Sequence, residues 1–73
     1  MQIFCKTVRG ETTILEVEPT DTILRLKDML YAKDGVPPAD QRLTFGGKHL
    51  NDSLTIADYK ILKESTIEMT LKL

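Results

Sequence analysis

The chain contains one thiol, Cys5, and one imidazole, His49, and they carry nearly all of its potential for nucleophilic or metal chemistry. Cys5 sits in Gln2-Ile3-Phe4-Cys5-Lys6, where a period-two alternation places it on the same side as Ile3. That position makes it a small core residue, with no evident base to turn it into a poised nucleophile. His49 lies in a turn-flanked segment, and one ligand makes no metal site. The four glycines fall at turns, without Gly-x-Gly-x-x-Gly or phosphate-loop spacing. These residue types and spacings predict no enzyme, no cofactor and no metal.

Composition narrows the remaining classes. The chain has 73 residues, with 10 Lys and Arg against 11 Asp and Glu, for a net charge of -1. Lysines and acids are interleaved, which argues against a nucleic-acid or membrane surface built on bulk charge. No apolar run approaches the roughly 20 residues of a membrane span, and the N-terminus lacks a signal-peptide pattern. A single cysteine excludes an internal disulfide or a multi-cysteine zinc site and suits a reducing compartment, cytosol or nucleus. A soluble, intracellular single domain over 1–73 is expected, near the lower size limit for folding on core packing alone.

The elements that would position any site are read from periodicity and punctuation. Ile3 and Cys5 alternate with Gln2, Phe4 and Lys6, and after Gly10 the pattern returns as Thr13, Leu15 and Val17, which predicts a hairpin. Gly10 supplies the positive φ that ends a short hairpin loop. The order Thr13-Ile14 puts the apolar β-branched residue on the outer face, opposite Phe4. Thr22 is the cap of a helix from about Ile23 to Asp34, whose inner stripe is Ile23, Leu26, Leu30 and the stem of Lys27. Leu24, Met29 and Tyr31 fall off that stripe. Gly35 closes the helix and Pro37-Pro38 forbids its continuation.

Gln41 to Phe45 then alternates as a strand with Leu43 and Phe45 inward, and Gly46-Gly47 turns it into a short strand, Lys48-His49-Leu50. Thr55-Ile56-Ala57-Asp58 has capping-box spacing at the start of a one-turn helix, and Tyr59 is placed to donate its hydroxyl to loop backbone. The last strand, Thr66 to Lys72, carries Ile67, Met69 and Leu71 on one face and Glu68, Thr70 and Lys72 on the other. This order predicts an α+β β-grasp fold, a mixed five-stranded sheet packed on one α-helix with a short helix besides.

The residues also carry a resemblance. Met1-Gln2-Ile3-Phe4, Lys6-Thr7, Leu15 to Pro19, Asp21-Thr22-Ile23, Pro37-Pro38, Gln41-Arg42-Leu43, Asp58-Tyr59 and Lys63 to Thr66 resemble the ubiquitin family, in register and without a gap. Pro19-Thr20-Asp21, Asn51-Asp52 and Ala57 to Leu62 lean toward its Rub-type modifiers.

The resemblance implies function through surface features. Family members are conjugated through a C-terminal Gly-Gly. This chain ends at Leu73 and, as given, is expected not to be conjugated. Lys72 stands where ubiquitin has an arginine read by its activating enzyme. The apolar recognition patch falls on Val8, Thr44, Glu68 and Thr70. Ubiquitin is aliphatic at the first, second and fourth of these positions and has histidine at the third. Two lost aliphatic contacts remove roughly 3 to 6 kcal/mol, and Glu68 adds the cost of desolvating a charge. Weakened binding to ubiquitin-receptor-type proteins is therefore expected.

A second apolar patch maps to Val36, Leu71 and Leu73 together with Val8, and a third to Phe4 with Thr12. Lys6, Lys33, Lys48 and Lys63 match the family's acceptor lysines, whereas Lys27 is expected to pair with Asp52. Two readings stay open: a non-catalytic, monomeric ubiquitin-like interaction module, and an engineered ubiquitin scaffold with no native partner.

Overall fold

The computed structural model describes residues 1–72. Strands β1 (Gln2–Lys6) and β2 (Thr12–Glu16) form the opening hairpin, and helix α1 follows over Ile23–Asp34. Strands β3 (Gln41–Phe45), β4 (Lys48–His49) and β5 (Thr66–Leu71) complete a mixed sheet of order β2-β1-β5-β3-β4. Among the described residues only the central β1–β5 pair is parallel; the others are antiparallel. This is the expected β-grasp, with the helix laid across one face.

Local chemistry accounts for the joints. Residues Thr7 and Glu11 close the hairpin through a 2.8 Å backbone bond, with Gly10 at φ 79°. Helix α1 starts where Thr22 Oγ1 accepts from the Arg25 amide at 3.2 Å. It stops at Gly35, φ 80°, whose N–H returns to the Tyr31 carbonyl. In the long connection before β5, Thr55 and Asp58 form the expected reciprocal box: the Asp58 amide donates to Thr55 Oγ1 at 3.2 Å, and the Thr55 amide donates to Asp58 Oδ2 at 2.9 Å. The turn they start is a 3-10 turn at Ala57–Tyr59.

One core joins the hairpin, α1, β3, β5 and the segments between them. Ile3, Cys5, Leu15 and Val17 of the hairpin segment meet Ile23, Leu26 and Leu30 of the helix, with Leu43, Leu50, Ile56, Ile61, Ile67 and Met69 closing the other side. Met29 is partly buried against this cluster, while Leu24 and Tyr31 stay exposed.

Four expectations change. Leu50 lies beyond the two-residue β4, though it is buried and its amide bonds the Leu43 carbonyl. Leu71 shares the inward parity of Ile67 and Met69 but is 51% exposed, because β5 runs past the layer that covers its earlier residues. Lys72 is outside β5, and its amide ties the chain to the Asp40 carbonyl at 2.7 Å. Tyr59 Oη accepts from the Asn51 amide at 2.7 Å instead of donating, since the loop presents an N–H there and not a carbonyl.

Candidate protein-interaction surface

The sheet's outer face, away from α1, gathers the first group of predicted residues. Glu68 on β5 is the register partner of Lys6 on β1 and of Thr44 on β3. Lys6 in turn pairs with Thr12, and Thr44 with His49. A single row therefore crosses all five strands as Thr12, Lys6, Glu68, Thr44 and His49. Thr70 stands two residues further along β5, opposite Arg42. Val8, 41% exposed, rises from the turn two residues after Lys6. Alternation and strand register thus bring Thr44, Glu68 and Thr70 to one surface, while Val8 is exposed on the turn that follows β1.

That surface is polar at its centre. The Glu68 carboxylate has a cationic cross-strand neighbour in Lys6 and a hydroxyl neighbour in Thr44, an arrangement suited to hydrogen-bonding and charged partners. Arg42, His49 and Lys72 line a depression at its border, giving that flank a basic character. What the surface lacks is a contiguous aliphatic centre that would gain free energy on being covered.

The second group is drawn together by a buried side-chain amide. Gln41 is buried and donates through Nε2 to the carbonyls of Lys27, at 2.9 Å, and Val36, at 2.8 Å. It is also the register partner of Leu71. Gln41 therefore brings half-buried Val36 and exposed Leu71 to the same end of the sheet; Leu73 lies outside the described residues. The available signal was its inward parity with Leu43, but alternation cannot say which backbone carbonyls an inward amide will meet.

Lys6, Lys33, Lys48 and Lys63 are all exposed. Lys27 differs: its side chain is 8% exposed and its Nζ lies 2.6 Å from Asp52 Oδ1, as expected for a structural pair. Cys5 is fully buried, and burial, then the negative charge of Asp34, pushes its thiol from the ordinary 9.0 up to about 12. It stays a neutral thiol at physiological pH. His49 is exposed on the short strand. No helix among the described residues is long and apolar enough to cross a membrane.

Sheet order, helix placement and the crossing row define a ubiquitin-like β-grasp protein. The model of the ubiquitin family matches residues 3–73, and the chain belongs to that family. It is 38% identical to the ubiquitin-like protein NEDD8 of Dictyostelium discoideum, over 100% of this chain and 95% of that one. It is likewise 38% identical to the NEDD8-like protein RUB3 of Arabidopsis thaliana, over 100% of this chain and 94% of that one. A shorter match, 36% identical over 84% of this chain, falls on 16% of the human UV excision repair protein RAD23 homolog B. The chain thus matches nearly the whole of two ubiquitin-like proteins and one part of a much longer protein.

Proposed function

We propose that this chain is a non-catalytic ubiquitin-like interaction module that binds other proteins through the outer face of its sheet, with the polar group Val8, Thr44, Glu68 and Thr70 at the centre. The observation that carries this reading is the five-strand row in which Glu68 lies between Lys6 and Thr44. A receptor that recognises aliphatic side chains at Thr44 and Thr70 finds hydroxyls there, and it must also desolvate the Glu68 carboxylate. Partners of this module are polar or charged where those of ubiquitin are apolar. Val36 and Leu71 offer a secondary apolar contact at the sheet's end. The exposed lysines Lys6, Lys33, Lys48 and Lys63 are acceptor candidates by their accessibility, and the buried free thiol suits the cytosol or nucleus.

The test is an NMR titration of the labelled domain with a ubiquitin-interacting helix from a receptor. Wild-type protein is expected to respond weakly, and the triple variant Thr44→Ile, Glu68→His, Thr70→Val to bind at least about tenfold more tightly, given the apolar contact it regains. Equal binding by both proteins would show that this face is not the recognition surface. A folded spectrum silent toward every receptor tried, in wild type and variant alike, would favour the engineered-scaffold reading.

A further inference from the structure

The two edges of the sheet are built differently. β4 is two residues long and carries Lys48, the usual devices against strand addition. β2 is five residues, Thr12-Thr13-Ile14-Leu15-Glu16, with three β-branched residues and no lysine, proline or glycine. Its outward hydrogen-bonding groups follow from the ladder. Val17 and Met1 exchange backbone bonds, the Val17 amide donating at 2.8 Å and the Met1 ammonium donating back at 2.6 Å. The Thr7 amide bonds the Glu11 carbonyl with the same parity. In an antiparallel ladder the bonded pairs alternate, so Thr13 and Leu15 bond inward to Cys5 and Ile3. The N–H and C=O groups of Thr12, Ile14 and Glu16 point away from the sheet.

We propose that a second copy of this chain pairs antiparallel with this edge, β2 against β2, about a two-fold axis midway between the two Ile14 residues. In that register Ile14 faces Ile14 of the second copy, and Thr12 faces its Glu16. Each of these pairs exchanges both backbone bonds. Side chains support the same choice. Ile14 is 52% exposed on the outer face beside its register partner Phe4, so pairing forms an apolar strip from Phe4 through both Ile14 residues to the second Phe4.

Charge disfavours two of the alternative registers. A slip that centred the axis on Glu16 would place two carboxylates face to face, and one centred on Glu11 would do the same. The Ile14-centred register sets Glu16 against a threonine and Glu18 against Gly10, and the Met1 ammonium, 3.2 Å from Glu16 Oε1, offsets that carboxylate's charge. The contact is small, which implies a dissociation constant on the order of 0.1 mM and a monomer in dilute solution.

The experiment is sedimentation velocity together with amide hydrogen exchange, from about 10 μM to about 1 mM chain, a range that brackets the expected constant. The expected result is a concentration-dependent dimer, with the amides of Thr12, Ile14 and Glu16 gaining protection only at high concentration while those of Thr13 and Leu15 stay protected throughout. Ile14→Lys, which sets two ammonium groups face to face, should abolish the dimer. Its folded spectrum is expected to persist because Ile14 points outward. Thr12→Lys should tighten the dimer severalfold by meeting Glu16 of the second copy. A chain that stays monomeric throughout, or a dimer that leaves those three amides unprotected, overturns the proposal.

Discussion

At the scale of single residues, the fold depends on polar groups placed where solvent cannot reach them. Cys5 illustrates the energetic side. Because its folded pKa is raised from 9.0 to about 12, the folded protein keeps a proton that the unfolded chain loses between those values. The resulting stabilisation is complete below about pH 9 and is lost as pH rises toward 12, up to about 4 kcal/mol in all. Urea unfolding of wild type and Cys5→Val at pH 8, 10 and 11 should show the wild type losing stability more steeply; parallel curves would show that the thiol does not titrate with unfolding. Gln41 illustrates what escaped the sequence. Its inward parity was legible, but its two acceptors, the Lys27 and Val36 carbonyls, come from the helix and the loop after it. The polarity of the Tyr59 contact escaped for a related reason: a hydroxyl serves either role, and a distant Asn51 amide decides which.

At the scale of elements, local signals specify boundaries well. Thr22, Gly35 and the Thr55–Asp58 box each act within four residues, and each is found where the sequence placed it. The 3-10 turn at Pro38–Asp40 has no clear sequence signal, because Pro37-Pro38 announces a helix stop and leaves the next turn undefined. The candidate surface was legible one strand at a time. Alternation places Thr44 and Glu68 outward, but their being direct neighbours depends on β3 pairing with β5 across the intervening loops. The hairpin carries a mismatch that can be measured. Thr13 is half-buried on the inner side and Ile14 exposed on the outer, so the more apolar residue faces water. Thr13→Ile is expected to stabilise the protein by roughly 0.5 to 1 kcal/mol in thermal or chemical denaturation. A loss of stability would show that the inner side of β2 has no room for the larger side chain.

At the scale of the whole molecule, a single cluster of buried residues joins every strand-bearing segment to one helix. A domain of 73 residues has a modest total stability, and each large core side chain is a sizeable part of it. Leu30, fully buried at the helix centre line, provides the test: Leu30→Ala should cost about 3 kcal/mol. Far- and near-ultraviolet circular dichroism should still report one coincident transition, whereas separated transitions would mean that the hairpin and the rest of the sheet unfold independently. The short β4 margin also limits how large an assembly of this chain can grow. A strand added at β2 uses up the one long free edge among the described residues, and a pair joined there presents a two-residue, lysine-bearing border at each end. Such a pair is a closed unit: concentrated solutions should stay clear where a sheet open on both sides would elongate into fibres.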